Sequence, residues 1–292
     1  MRENKLKIRI VVCYHKDSAI ITNNVYLPLQ VGRALSNKKL PIQGDNTGDN
    51  KSSLNGLYCE LTGLYWAWKN LDSDYIGLCH YRRIYSFITF KDSVKYLINR
   101  TRYYFKKIAA YFRGPCYNVM GFIYYKQSNN QDAFLQISSD FSSDLENYLE
   151  NNRETLALAL KRVKIGNLTC HYFFGVVSGI VHLDIVKSLV MKKYSYLYKY
   201  LDDTLNSNSL HCANMVIMRK DVLNDYCTFL FDILDSHIDY CVENSIIISK
   251  DEKIISRLSG YLGEILTSTY ISYLKATKGN KSVKELALVK YE

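Results

Sequence analysis

The sequence predicts a layered α/β fold, a central sheet flanked by helices, and three stretches carry that expectation. Lys7 to Tyr14 (KIRIVVCY) is a β-rich apolar run of strand length. Leu54 to Asn70 repeats Leu57, Leu61, Leu64, Tyr65 and Trp68 at three- and four-residue spacing, which predicts a helix with one buried face. Tyr75 to Cys79 (YIGLC) is short and apolar throughout, as a strand covered on both faces should be. In open α/β sheets ligands bind outside the carboxyl ends of the strands. Two polar clusters stand at such ends: His15-Lys16 after the first strand, and His80-Tyr81-Arg82-Arg83 after the second.

Taken in order, Ala19 to Leu40 is interrupted by Pro28 and Gly32 and reads as partly loop. Gln43 to Ser53 is polar, with Asp45, Asp49 and Asn50 as candidates for a sugar or ribose hydroxyl; a solvated turn is the alternative. Ser52 or Ser53 is placed to cap the helix. Asp72-Ser73-Asp74 is the turn before the second strand. Phe87 to Phe112 interleaves aromatic residues with Lys95, Arg100, Arg102, Lys106 and Lys107. It predicts a basic amphipathic helix, lying on anionic lipid or packed on the domain. Gly114-Pro115 ends it. Tyr117 to Tyr125 reads as a strand and Gln131 to Val163 as helical. Gly166 to Val190 reads as a strand or two leading into a helix, and Lys192 to Leu205 as helical.

Ser209 to Arg219 is the second informative stretch. His211 and Asn214 enter an apolar run, where a polar residue needs a partner, so both are site candidates or a satisfied polar pair. Lys220 to Leu234 is an amphipathic helix. Ile254 to Tyr273 is a last helix carrying Arg257, Tyr261 and Glu264; Arg257 and Glu264 lie two turns apart on one face. Glu264 is a candidate base or acceptor ligand, a salt bridge being the alternative. Beyond Lys275 the Lys-rich tail reads as loose. Without repeat or clean linker, residues 1–292 read as one domain with an added helical portion.

Composition narrows the partners. A net charge of +10, from 38 Lys+Arg against 28 Asp+Glu, suits a phosphorylated substrate, an anionic membrane surface or nucleic acid. Nucleic acid ranks last, for want of zinc-finger spacing, an RNP-type aromatic motif or a long basic helix. The 26 Tyr suit stacking on sugars or bases. The eight Cys are dispersed without a C-x-x-C, as in reduced cytoplasmic proteins. No G-x-G-x-x-G follows the first strand and no P-loop is present. No stretch approaches eighteen apolar residues and no signal-peptide core opens the chain, so a cytoplasmic location is expected. Arginine offers forked donors that match phosphate oxygens. The cluster at His80 to Arg83 therefore reads as a nucleotide diphosphate site.

These stretches resemble a family of bacterial capsular and exopolysaccharide biosynthesis proteins, long labelled a domain of unknown function and regarded as glycosyltransferases. The resemblance rests on KIRIVVCYHK, on Val31 to Leu35, on Asp45 with Gly48-Asp49-Asn50, and on Asn55 with Tyr58 to Thr62. It continues through Tyr65 to Asn70 and Tyr75 to Arg83, and resumes at Asn214 to Met218, Tyr226-Cys227 with Phe231 to Leu234, and Arg257 to Glu264. Between about 88 and 205 there is no match, so that part reads as an insertion or a divergent acceptor region.

The resemblance implies a GT-A-like (Rossmann-like) open mixed sheet flanked by helices, and transfer of a sugar from a nucleotide-sugar. The donor is expected to be a UDP-hexose, UDP-galactofuranose included. The acceptor is a lipid-linked capsular, exopolysaccharide or O-antigen glycan, reached from an anionic membrane surface. Such enzymes usually hold the diphosphate through a divalent metal on an Asp-x-Asp just after a central strand. Here that place holds His80-Tyr81-Arg82, and Asp72-Ser73-Asp74 lies at the strand's other end. The expectation is therefore metal-independent chemistry with no metal ligands, manganese or magnesium being the alternative. His80, Arg82, Arg83, Glu264 and Asp49 are the expected catalytic residues, with His80 donating a hydrogen bond or proton to the leaving phosphate; Asp45, Asp49, Glu60 and Glu264 are the alternatives for the acceptor base. His15, Lys16, Gly32, Arg33, Asp45, Asn50, Asn55 and Glu60 are expected to bind substrate. So are Trp66, Trp68, Lys69, Tyr81, His211, Asn214, Arg257 and Tyr261. The competing function is a non-catalytic sugar-nucleotide or glycan-binding subunit of a polysaccharide assembly.

Overall fold

The structure, a computed structural model, describes residues 5–94, 97–98, 101, 105, 125–165, 168–246 and 257–291. Strand β1 (Ile8–Tyr14) forms where its apolar run predicts. Both its faces are covered: Val11 and Cys13 join one hydrophobic cluster, and Ile10, Val12 and Tyr14 the other. β2 (Tyr26–Gln30) runs parallel to it with Pro28 opposite Val12, so part of the expected loop is strand. Pro28 is tolerated because β3 (Gln43–Gly44) pairs with β2 only from Leu29 onward.

The expected single helix Leu54 to Asn70 is broken in two. α1 (Asn55–Tyr58) stops at Cys59, whose φ of 50° lies in the left-handed region, and α2 (Leu61–Asn70) restarts after Glu60. The Asn55 side chain bridges the break, donating to Cys59 O at 2.7 Å and Thr62 Oγ1 at 2.9 Å. Ser52 caps neither helix; its hydroxyl donates to Asp45 instead. β4 (Tyr75–His80) lies parallel to β1 on its other side, Leu78 opposite Val11. β5 (Arg83–Ser86) returns after two residues, with Arg83 opposite His80.

β6 (Tyr125–Ser128) precedes α3 (Gln131–Asn151), which Asn130 caps by accepting from Ala133 N. The helix expected to reach Val163 ends at Asn151, because Ala157–Leu160 is β7, buried at every residue. Its Ala-Leu pattern favours helix in isolation, and burial on both faces overrides that preference. β8 (Val163–Lys164) follows. The strands expected over 166–190 are instead two helices, α4 (Cys170–Ser178) and α5 (Ile180–Lys193). They meet at 119° around Gly179. Thr169 starts α4 by accepting from Tyr172 N.

α6 (Ser195–Asn206), β9 (Ser209–Leu210), β10 (Val216–Arg219), α7 (Lys220–Glu243) and α8 (Leu258–Lys278) follow, near their predicted positions. The tail expected to be loose is β11 (Val283–Tyr291), seated between β5 and β7 with Leu286 and Val289 fully buried.

The sheet is mixed but not open throughout. β3, β2, β1 and β4 form a parallel wing that ends in a free edge. From β4 the order runs β10, β7, β11, β5 and back to β4, a small barrel-like ring. The ring closes because one edge of β4 serves two strands: Tyr75 to Gly77 pair with β10, and His80 pairs with β5. Gly77 permits the approach, since a Cβ there would meet Ile217 Cγ1 at 2.7 Å and Val216 O at 2.9 Å. α2 and α4 to α8 pack on one face of the sheet, and α3 covers the other. Most residues of the expected Phe87 to Phe112 helix, and all but Tyr125 of the Tyr117 to Tyr125 strand, lie outside the described residues. Among the described residues no single helix is long and apolar enough to cross a membrane.

Candidate functional site

A cleft of about 520 Å³ opens where the parallel strands end. Cys13 and His15 reach it from β1, Val31 from just past β2, and His80 from the end of β4. Tyr81 N donates to Cys13 O, which docks the turn after β4 onto β1. The two-residue connection to β5 then turns Arg82 and Arg83 outward, both exposed, over the buried Tyr81 ring. The Arg82 guanidinium lies 5.1 Å from the centre of that ring, and His15 meets its edge at 5.2 Å. The Tyr81 hydroxyl is buried without a hydrogen-bond partner among the described residues.

Two further cations line the cleft, Arg257 from just before α8 and Lys290 from β11. Lys290 sits opposite Arg83 in the sheet register. Burial first, and then the neighbouring Lys16, Arg82, His80 and Arg257, hold the His15 imidazole below its ordinary pKa. Among the described residues neither Arg82 nor Arg83 has an ion-pair partner within 4.0 Å.

Glu60 is the carboxylate of this cleft. The break at Cys59 presents it, and Asn214 Nδ2 holds its Oε1 at 2.9 Å. Asn214 is fully buried and also donates to Gly260 O at 3.0 Å. Ala213 and Asn214 both have left-handed backbone, at φ 65° and 51°. Such residues cost on the order of 1 kcal/mol each and persist where the surroundings hold them. Here the Ala213 peptide is held at both ends. Its carbonyl is 3.0 Å from His80 Nε2, and its N–H bonds to Glu264.

A carbonyl only accepts, so His80 Nε2 carries a proton and donates it to Ala213 O. Burial lowers the His80 pKa, with Arg83 and Arg257 adding to it against Glu60 and the Ala213 bond. With Nε2 engaged by the Ala213 carbonyl, Nδ1 is the ring atom through which His80 would meet a phosphate. Burial and the Glu60 charge push the half-buried Glu264 carboxyl up to about 7, against the Ala213 N–H, Arg83 and Arg257.

Of the predicted residues, His15, Asn55, Glu60, His80, Tyr81, Arg82, Arg83 and Arg257 line the cleft. Asn214 and Glu264 stand behind it. Lys16 is exposed beside it, its Nζ 6.0 Å from the Tyr81 ring centre, and Tyr261 lies under Arg257, 5.8 Å away. The others are engaged elsewhere. Asp45 is fully buried and accepts from Gly32 N, Arg33 N, Ser52 Oγ and Thr62 Oγ1, so it offers no free oxygen to a sugar. Arg33 Nη1 donates to Leu40 O and Ile42 O, closing its own loop. Gly32 has φ 65° and packs on Asn55, leaving no room for a Cβ.

Asp49, expected to be catalytic, accepts from Tyr65 on the exposed side of α2, and Asn50 donates to Gly48 O. Trp66 Nε1 donates to Thr47 O. Trp68 stacks on Phe231 with Lys69 Nζ 3.6 Å from its ring centre. His211 is buried against Leu160 O, and burial brings its pKa down to about 4.

Sequence reasoning missed Lys290, which sat in a tail read as loose; the apolar run Leu286 to Val289 was the available signal. Asp72-Ser73-Asp74 stands at the opposite end of β4 from His80. Asp72 pairs with Lys220 Nζ at 2.5 Å and Asp74 accepts from Lys7 N at 2.7 Å.

A family model described as "Domain of unknown function (DUF4422)" matches residues 9–276, the stretch between 88 and 205 included. Among solved structures, the apo form of the WbbM bifunctional glycosyltransferase matches with a TM-score of 0.76 and 26% identity. That match covers 98% of this chain and 45% of the WbbM chain, so this chain spans less than half of that protein's length. No curated protein matches.

Proposed function

The chain belongs to the DUF4422 family, and on that footing we propose that it is a glycosyltransferase drawing its sugar from a nucleotide-sugar. The observation that carries the reading is the cleft itself: Arg82, Arg83, Arg257 and Lys290 beside one positioned carboxylate, Glu60, at the carboxyl ends of parallel strands. The kinship with WbbM supports the transferase class.

In this reading the donor's diphosphate lies among the four cations. Glu60 takes the proton of an acceptor hydroxyl as its oxygen attacks the anomeric carbon. The bond from that carbon to the phosphate oxygen breaks, and its electron pair leaves with the nucleoside diphosphate. Arg82 and Arg83 meet the charge that develops there. Asn214 and the Ala213 peptide hold Glu60, His80 and Glu264 in register. Glu264, whose carboxyl burial and the Glu60 charge push up to about 7, stands behind Glu60 on the Ala213 N–H.

A divalent cation fits this donor set poorly, because the position after β4 is itself cationic and the Asp72-Ser73-Asp74 carboxylates are taken at the other end. The donor class is a UDP-hexose, UDP-galactofuranose included. The acceptor is a lipid-linked capsular, exopolysaccharide or O-antigen glycan presented at an anionic membrane surface on the cytoplasmic side.

The test is transfer or hydrolysis of UDP-sugars by purified protein in EDTA, beside a thermal-shift screen of UDP-, GDP- and dTDP-sugars. Turnover in EDTA that Glu60→Gln abolishes is the expected result. Binding without any turnover would make the protein a sugar-nucleotide binding subunit. Turnover lost in EDTA and restored by manganese would refute the fixed-cation scheme.

A further inference from the structure

Away from the cleft, α5 and α7 bring three ligating side chains together in the core. His182 is 5% exposed, and His237 and Cys241 are fully buried. His182 Nδ1 and His237 Nε2 stand 3.0 Å apart; Cys241 Sγ is 3.8 Å from the first and 3.7 Å from the second. None of the three lines the cleft.

Hydrogen bonding alone leaves this cluster poorly satisfied. One proton lies between the two rings, the thiol contacts are long, and His237 Nδ1 is buried without a partner among the described residues. Unpartnered polar atoms in a core are costly. A metal ion changes the account. With metal–nitrogen bonds of about 2.0–2.1 Å and a metal–sulfur bond of about 2.3 Å at tetrahedral angles, two nitrogens stand about 3.3 Å apart and nitrogen and sulfur about 3.6 Å. The observed spacings fall within a few tenths of an ångström of these without any rotamer change.

We propose that His182 Nδ1, His237 Nε2 and Cys241 Sγ form a binding site for a borderline-soft transition metal, zinc in the first instance, that pins α5 to α7. The donor set suits zinc or cuprous copper and not magnesium or manganese, which take oxygen ligands. Zinc takes imidazole in its neutral form, and both rings are buried where an unpaired charge is costly. Burial raises the Cys241 thiol, so its proton is the one displaced. Binding converts the thiol and the free ion into a metal thiolate and releases one proton to solvent. The proton between the rings moves to a distal ring nitrogen. Three protein donors leave one tetrahedral position for water.

The elbow gives the pin a mechanical meaning. Gly179, with φ 92°, turns α4 into α5, and a Cβ there would meet His182 Cδ2 at 3.3 Å. Fixing His182 to α7 fixes that elbow.

The test uses the whole protein after chelation and dialysis. Cobalt(II) titration should give a near-ultraviolet thiolate charge-transfer band saturating at one equivalent, displaced by zinc, with one proton released per ion bound. Zinc, and not manganese, should raise the melting temperature. Cys241→Ser should lose the band, and His237→Ala the zinc-dependent shift. No band and no zinc-dependent shift in the unmodified protein overturns the proposal whether or not the variants fold, as does a full band in Cys241→Ser. Because the readouts are a thiolate band, proton release and melting temperature, and not turnover, this outcome is independent of the cleft's.

Discussion

Two carboxylates in the same loop-and-helix stretch have opposite fates. Asp45 is fully buried with every acceptor position used: Gly32 N at 2.9 Å, Arg33 N at 3.1 Å, Thr62 Oγ1 at 2.8 Å and the Ser52 hydroxyl. Glu60 has one oxygen held by Asn214 at 2.9 Å, and among the described residues its Oε2 accepts nothing. The saturated carboxylate fastens the turn after β2 to the start of the helices. The half-held one faces a cationic cleft with a lone pair to spare. What separates the two carboxylates is the number of donors aimed at each, since both sit in motifs that the sequence marks equally.

That contrast can be broken by substitution. Glu60→Gln should lower kcat/KM by roughly 10²–10⁴-fold, the usual worth of a positioned base, with the urea midpoint unmoved. A fully active Glu60→Gln ends the distinction. Arg83→Ala should cost about 10²–10³-fold, as loss of one preorganised donor to a leaving group does, with Arg83→Lys recovering only part. Asp45→Asn should do the reverse of Glu60→Gln. It turns an amide N–H toward donors and should remove about 2–3 kcal/mol of stability by urea unfolding, while the folded fraction keeps its kcat.

A further effect, read as a pH dependence, concerns Glu264. Its carboxyl titrates at about 7 in the folded protein against an ordinary 4.5, so the folded state binds more protons between those values. Stability therefore falls as pH rises through that window, and the loss is complete above about 7. Glu264→Gln cannot titrate, so its stability relative to the wild type should improve as pH rises from about 4.5 to 7 and level off above. A pH-independent difference between the two in denaturant midpoints would remove Glu264 from the network.

The parts of the fold legible in the sequence were those whose burial is written in short, mostly apolar runs: Ile8–Tyr14, broken only by Arg9, and Tyr75–His80. These also placed the cleft, because the polar residues that follow them end at one sheet edge. Ala157–Leu160 was hidden by helix-favouring side chains, and Val283–Tyr291 by its Lys and Glu at both ends. Missing the second strand meant missing Lys290 and the closure of the ring. The break at Cys59 was invisible because Leu57, Leu61 and Leu64 keep a helical period across it. Asp45 is expected to meet a ligand from its polar loop, and Arg33 and Trp66 from the motifs that carry the resemblance. What engages them is a set of backbone groups brought near by the turn after β2, which no spacing records.

The ring's last wall, β11, has a consequence for biogenesis. On the ribosome β5 and β7 emerge long before the segment that must lie between them, and their edges wait unpaired in the meantime. No amino-terminal fragment ending before residue 283 contains the wall of the cleft that carries Lys290. The cationic cleft is therefore complete only once this strand has been inserted between β5 and β7.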